Sequence, residues 1–376
     1  MKKKKILIFI DWFLPGYKAG GPIVSVSNII ERLCGEFDFT IVTSDRDFGD
    51  PEPYKNIEFN KVIKRCNYKI VYLSPTNQNK EFYRSLINDL DFDIVYFNSL
   101  FSVNFTLTPL KIIKRARPDV KVILAPRGML GAGALNIKKR KKQLFLLYAK
   151  LSGLFKNIYW QATDETERQD IKTIFGQNSN VYFVQNIPDK PKEYISRKKN
   201  ITKFIFISRI SGKKNLLFAI KLFQKITTNS VEFSIYGTNE DEKYIELCRK
   251  EADEVSSNVK IEFKGELEHF KIHDVLSEYH FFILPTFHEN FGHSIFEAFS
   301  AGCPVLISDQ TPWRDLEEKK AGWDLPLNDE SLWIDKLNEL IKMSNDEYQQ
   351  WSSGARKLAE EYVNSPELLE GYSKMF

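Results

Sequence analysis

The sequence predicts an α/β protein made of two doubly wound parallel sheets in succession, on three observations. Short β-branched and aromatic runs alternate with amphipathic stretches in two separate series, and that alternation is the pattern of parallel strands joined by helical crossovers. The polar stretch Pro188–Thr202 parts the two series. A chain of 376 residues is long for one α/β domain and about right for two.

The first series begins at KILIFI, residues 5–10, and continues through FTIVTS (39–44), KIVYL (69–73), DIVYF (93–97) and KVILAP (121–126), with helical stretches at Ile23–Leu33 and Glu81–Leu90. The opening MKKKKILIFIDWF has a basic start, but its apolar run is only five residues before Asp11, so it reads as a first strand rather than a leader. The second series is KFIFIS (203–208), VEFSIY (231–236), KIEF (260–263), FFILP (281–285) and PVLIS (304–308), each followed by a helix-like stretch. After Leu327 the pattern is helical, and a break around Asn364–Pro366 sets off a last segment expected to fold back onto the first domain. The expected domains are therefore 1–187 and 188–364, with 365–376 as a returning helix.

Composition narrows the function. Hydrophobic residues at 43% and charged residues at 28% describe a folded chain without repeats or low-complexity tracts. No run approaches the ~18 uncharged apolar residues of a spanning helix. Cys34, Cys66, Cys248 and Cys303 lack paired or metal-ligand spacing, which fits buried thiols in the reducing cytoplasm. The net charge of +4 conceals an asymmetry: residues 1–190 hold 30 Lys and Arg against 19 Asp and Glu, and the rest 24 against 31. The halves are expected to face different partners.

Residues 284–308, LPTFHENFGHSIFEAFSAGCPVLIS, carry the sharpest signal. A strand ends at Pro285, a loop presents Glu289 and Asn290, and a helix runs from about Gly292 to Ala301, stopped by Gly302 and Pro304. Glu289 thus sits at the carboxyl end of a strand beside a helix N-terminus, where open α/β sheets bind ligands and free amides receive anions. The amides of Asn290, Phe291, Gly292 and His293 together with a carboxylate suit a ligand bearing both phosphate and hydroxyls. A second basic loop, in FIFISRISGKKNLLFAI (204–220), places Arg209 and Lys214 at another strand's carboxyl edge.

The pair Glu289 and Glu297, set within Asn290-Phe291-Gly292, Ala298, Gly302 and Pro304-Val305, resembles the signature of the family 4 retaining glycosyltransferases of GT-B fold, the glycosyl transferases group 1. The resemblance covers nearly the whole chain and is strongest over residues 204–323. It implies two Rossmann-like domains facing a cleft, with a nucleotide-diphosphate sugar as co-substrate. By that resemblance Glu289 contacts the donor sugar, Glu297 the ribose, and Arg209 and Lys214 the diphosphate, where negative charge grows as the glycosidic bond breaks. Gly20 and Gly21 would face the phosphates, and Gly237 and Gly265 would border the base. Asn215 stands where the family usually has Gly. Arg127 stands where many relatives carry a histidine, so its expected part is to hold the sugar or an anionic acceptor, or to pair with a carboxylate as a loop arginine; Glu167 is read as acceptor-side or structural.

The resemblance further implies retention of configuration, with the leaving phosphate accepting the acceptor's proton, and neither an enzymic nucleophile nor an obligatory metal. Glycan or lipid-linked acceptors in surface polysaccharide assembly follow as expectations. The rival readings are a nucleotide-sugar epimerase or hydrolase of related fold, and a silent partner-binding scaffold. Asp45-Arg46-Asp47 and Asp91-Phe92-Asp93 match an Asp-x-Asp metal pattern, but a structural role suits Asp93 before its strand. Gly128, Gly131 and Gly133 form no dinucleotide fingerprint. Five histidines lack zinc spacing, and the basic residues form no nucleic-acid motif. The basic block Lys138–Lys142 runs into LFLLYAKLSGLF. That pattern fits a helix whose Leu144, Leu147, Leu151 and Leu154 face the core with the lysines solvated, and the basic patch as a whole fits contact with the anionic inner face of a membrane.

Overall fold

The computed structural model describes residues 3–131, 134–135, 139–194, 200–227 and 229–376; Gly133, Lys138 and residues 195–199 of the polar stretch lie outside them. The chain divides into two compact units, Met1–Ile187 with Pro366–Phe376, and Pro188–Ser365.

The first unit runs β1 (Lys4–Phe9), α1 (Gly21–Leu33), β2 (Phe37–Ser44), β3 (Ile63–Lys64), β4 (Tyr68–Leu73), α2 (Lys80–Asp89), β5 (Ile94–Phe97), α3 (Thr108–Ala116), β6 (Lys121–Leu124), α4 (Lys139–Leu151), β7 (Tyr159–Ala162), α5 (Glu165–Phe175) and β8 (Asn180–Phe183). Its strands lie in the order β3-β4-β2-β1-β5-β6-β7-β8, all parallel except the short β3 against β4. The central strands are apolar on both faces because helices cover both. Phe9, Phe97, Val95 and Trp160 belong to one core layer.

The second unit runs β9 (Thr202–Ile207), α6 (Leu216–Gln224), β10 (Val231–Tyr236), α7 (Glu242–Ala252), β11 (Val259–Gly265), α8 (Ile272–Leu276), β12 (Phe281–Leu284), α9 (His293–Ser300), β13 (Val305–Ser308), β14 (Gly322–Leu325), α10 (Glu330–Lys342) and α11 (Asn345–Asn364). The order β11-β10-β9-β12-β13-β14, wholly parallel, is the 3-2-1-4-5-6 arrangement of nucleotide-binding sheets. A capping box of Ser344 and Glu347 opens α11.

A last helix, α12 (Pro366–Met375), belongs to the first unit. Gln161 donates to the Tyr372 hydroxyl at 3.1 Å, Lys121 donates to the Met375 carbonyl at 2.6 Å, and the Phe376 ring stands 5.5 Å from those of Phe37 and Tyr96. Four strands escape the sequence pattern, the two-residue β3 among them. β7, β8 and β14 are four residues each, and YWQA, NVYF and GWDL mix polar and small residues into runs too short to show a period. The stretch after β13 holds turns, not a helix.

Candidate functional site

In the second unit β9 and β12 are neighbours while their crossovers leave in opposite directions, so a crevice opens outside their carboxyl ends. The loops that follow them are laced together. Phe287 N donates to the Lys213 carbonyl at 2.9 Å, and the Thr286 hydroxyl donates to the same oxygen at 3.2 Å. This brings Lys214 against Glu289 in an ion pair whose side chains are only 9% and 12% exposed. The Glu289 amide is held in turn by the Gln310 carbonyl at 3.1 Å. An ammonium has three donors and a carboxylate about four lone-pair sites. Paired with each other, both keep capacity for a ligand: the lysine for phosphate oxygen, the glutamate for hydroxyls.

Arg209 lies at the same edge but pairs with Glu240, on the loop after β10, with its own side chain 42% exposed. Glu240 was not singled out in the sequence; its only signal is its place in the acidic run after the β10 strand. Two backbone bonds set this edge: Ser208 N donates to the Tyr236 carbonyl at 3.1 Å, and Ile210 N to the Thr238 carbonyl at 2.8 Å. A Cβ on Gly237 would stand 1.8 Å from the Ser208 carbonyl oxygen, so only glycine lets the loops approach. Gly237 N donates to the Gly265 carbonyl at 2.8 Å, which joins the two glycines predicted to border a base. Asn215 takes φ 57°, ψ 38° at the start of α6, and asparagine fills a left-handed position that glycine fills elsewhere.

The predicted helix from Gly292 is α9, with Gly292 as its N-cap at φ 77°. Asn290 lies in the loop before it. The Phe291 side chain is buried among Phe296, Trp313 and Tyr362, and Trp313 Nε1 donates to its carbonyl at 2.6 Å, so what Phe291 can offer the site is its amide, the group the sequence put forward. Glu297 is not a solvated helix residue. It is 14% exposed, with its Oε1 2.9 Å from His269 Nε2, and Asp189 Oδ2 lies 3.6 Å from the same nitrogen. Among the described residues Asp189, His269 and Glu297 form the one His, Cys, Asp and Glu cluster tight enough to consider for a cation. The imidazole nitrogen that faces the carboxylates is hydrogen-bonded to Glu297, so the cluster is a histidine–glutamate pair with a second acid nearby.

In the first unit Gly20 caps α1 at φ 69°, and Gly21 begins the helix. Asp47 belongs to the first of the two Asp-x-Asp matches. Its carboxylate accepts from Tyr17 N at 2.8 Å and Lys18 N at 3.1 Å, and so holds the loop that leads to the glycines. Asp93 accepts from Lys5 N at 2.8 Å and ties β5 to β1, the structural role expected of it. Among the described residues Arg127 pairs with no carboxylate, unlike the loop arginine the sequence allowed. It donates to Asn98 at 2.7 Å, to the Tyr96 hydroxyl at 2.8 Å, and to Asn186. Glu167 is buried and accepts from Gly128 N at 2.6 Å and Thr163 N at 2.9 Å. Both therefore brace the loop after β6. A cavity of about 400 Å³ opens at the carboxyl edge of this sheet, lined by Asp11, Trp12, Asp47, Gln78, Ser102 and Asn104 among others. Burial pushes the Asp11 carboxyl up, against the hydrogen bond it accepts from Ser102 at 2.5 Å.

Two parallel doubly wound units, one with cations and carboxylates at its switch point, define the GT-B class of glycosyltransferase fold. The chain matches sucrose-phosphate synthase from Thermosynechococcus elongatus with a TM-score of 0.74 at 11% identity, over 100% of this chain and 98% of that one. It matches the Anabaena protein HepE in complex with UDP and glucose at 0.72 and 12%, over 99% and 98%. A variant of S. aureus TarM bound to Fondaparinux, alpha-GlcNAc-glycerol and UDP matches at 0.71 and 14%, over 99% of each. Residues 189–358, in the second unit, match the family glycosyl transferases group 1. The chain is also 29% identical over 257 residues to the poly(glycerol-phosphate) alpha-glucosyltransferase of Bacillus subtilis, covering 65% of this chain. The chain spans about a third of that relative, 35% of its length.

Proposed function

We propose that the protein transfers a sugar, with retention of configuration, from a nucleoside-diphosphate sugar to a hydroxyl of a glycan or polyol-phosphate acceptor in surface polymer assembly. The observation that carries this reading is the buried pair of Lys214 and Glu289 at the switch point, with Arg209 on the same edge. Lys214 and Arg209 supply fixed positive charge where the leaving diphosphate gains negative charge, and such preorganised charge lowers the barrier more than it favours the ground state. Glu289 takes the sugar's hydroxyls and Glu297 the ribose. The diphosphate accepts the acceptor's proton as the new bond forms on the face it leaves, so the chain supplies no nucleophile and no resident metal. The amides of Asn290, Phe291 and Gly292 add phosphate contacts within the second unit.

Structures of similar fold were solved with UDP or a UDP-sugar, which favours a uridine donor. The Bacillus subtilis relative's name favours an anionic polyol-phosphate acceptor, in keeping with the basic first half. The cavity beside Asp11 and Trp12, with an aromatic face and hydroxyl partners, suits the acceptor's hydroxyls. A partner surface also follows. On α4, Leu144, Leu147, Tyr148 and Leu151 are 68%, 55%, 51% and 81% exposed and lie among Lys139, Arg140, Lys141, Lys142 and Lys150. We read this as contact with an anionic membrane from the cytoplasmic side.

The test is a thermal-shift panel of UDP-, GDP-, ADP- and TDP-sugars, since a ligand that binds only the folded state raises its melting temperature. One nucleotide should stand out, and Arg209→Ala should abolish the shift. If no member of the panel shifts a folded sample, the scaffold reading replaces this one. Product analysis without acceptor separates transfer from epimerisation or hydrolysis.

A further inference from the structure

Glu297 is read as the ribose carboxylate, and among the described residues the hydrogen bond its side chain makes comes from outside its own helix. Glutamate has three side-chain torsions, the last of them broad, and a carboxylate that must receive two neighbouring hydroxyls gains from being set beforehand. The structure holds it from outside the helix. His269 comes from the loop after β11, beyond Gly265, and places Nε2 2.9 Å from Glu297 Oε1. The pair is only part-exposed, at 37% and 14%. One hydrogen bond on Oε1 leaves that oxygen a second lone-pair site and leaves Oε2 whole, so both oxygens can still accept from a diol.

We propose that His269 is a positioning residue for nucleoside recognition: it locks the Glu297 carboxylate in the orientation that receives the ribose hydroxyls. The proposal rests on the donor-site reading given above. Three charged groups face the imidazole. Glu297 is on α9, and Asp189 and Lys192 are at the start of the second unit. Burial opposes protonation of the ring, but the hydrogen bond and charge of Glu297, with Asp189, outweigh burial and Lys192 and raise the ring above the ordinary histidine value. The charge-assisted form of the bond is therefore complete below that ordinary value. It is lost as pH rises through the raised one, when the neutral ring grips the carboxylate less strongly.

The experiment compares UDP with its 2′-deoxy and 3′-deoxy forms by calorimetry, on the whole chain carrying no change, His269→Ala, His269→Gln or Glu297→Gln. The ratio of affinities isolates the ribose contact and cancels the titration of the phosphates, which all three probes share. The unchanged protein should prefer UDP, and His269→Ala should shrink that preference about tenfold, the scale of one hydrogen bond to a charged group. His269→Gln, which offers an N–H at the place of Nε2, should restore it. The preference should also weaken toward alkaline pH in the unchanged protein and stay flat in His269→Gln. If His269→Ala keeps the full preference while Glu297→Gln loses it, the positioning role is overturned and the donor reading stands. If the unchanged protein binds none of UDP, GDP, ADP or TDP, the donor reading falls and takes the proposal with it.

Discussion

Lys214 and Arg209 are both read as grips on the same diphosphate, but their surroundings separate their effects on stability. Lys214 and Glu289 sit 9% and 12% exposed, and removing one member of a buried pair strands the other's charge, at a cost of about 3 kcal/mol. Arg209 is 42% exposed against Glu240, and losing an exposed pair costs less than about 1 kcal/mol. Lys214→Ala should therefore lower the urea midpoint markedly, whereas Arg209→Ala should leave it nearly unchanged, and both should abolish donor binding. Equal urea midpoints for the two variants would contradict the buried pair; donor binding that survives either would contradict the site. Sequence alone placed both cations at strand ends. Their partners became visible only when β9, β10 and β12 were set side by side.

At the scale of elements, the loop after β9 is shaped by contacts with its neighbours more than by its own residues. Gly237, on the next loop, leaves no room for a side chain, with the Ser208 carbonyl oxygen 1.8 Å from a built Cβ, while a Cβ on Gly212 would meet nothing within 4 Å. Gly237→Ala must push the loops apart. It should cost about 2–4 kcal/mol, while Gly212→Ala stays within about 0.5 kcal/mol. Because Arg209 and Lys214 ride on the displaced loop, Gly237→Ala should also erase the thermal shift with the donor, and Gly212→Ala should keep it. Donor binding retained by Gly237→Ala would mean that the loop's position does not matter to the site. Asn215 belongs to the same account. Asparagine in the left-handed region meets the geometry that starts α6, so departure from the family's usual glycine leaves the turn intact.

At the scale of the molecule, charge and exposure point the same way. The surplus of Lys and Arg lies in the first half, and α4 carries exposed leucines among lysines, although no helix among the described residues is long and apolar enough to cross a membrane. Of the four leucines weighed in the sequence, Leu154 turns inward while Leu144, Leu147 and Leu151 face out. The membrane reading predicts that the protein sediments with phosphatidylglycerol vesicles and not with phosphatidylcholine ones. Salt should weaken the binding, because exposed charges are screened within about 10 Å at 0.1 M. Replacing Leu144, Leu147 and Leu151 together by Ser should weaken it further without changing donor affinity. Equal sedimentation of the leucine variant would assign the binding to charge alone and discard the apolar face.

The sequence by itself determined the fold class, because buried parallel strands must be apolar on both faces and amphipathic helices must alternate with them. It also marked Arg209, Lys214, Glu289 and Glu297, since each follows a strand or lies in the helix just beyond one. It could not show β3, β7, β8 and β14, whose short runs gain their strand character from neighbouring strands. It allowed Glu167 a structural part but did not show that Glu167 holds Gly128 or that Arg127 is held by Tyr96, Asn98 and Asn186, because those contacts join residues far apart in the chain. The link from His269 to Glu297 spans the loop after β11 and the helix after β12. Only tertiary structure decides such a pairing, for a hydrogen bond depends on distance in space and not on spacing along the chain.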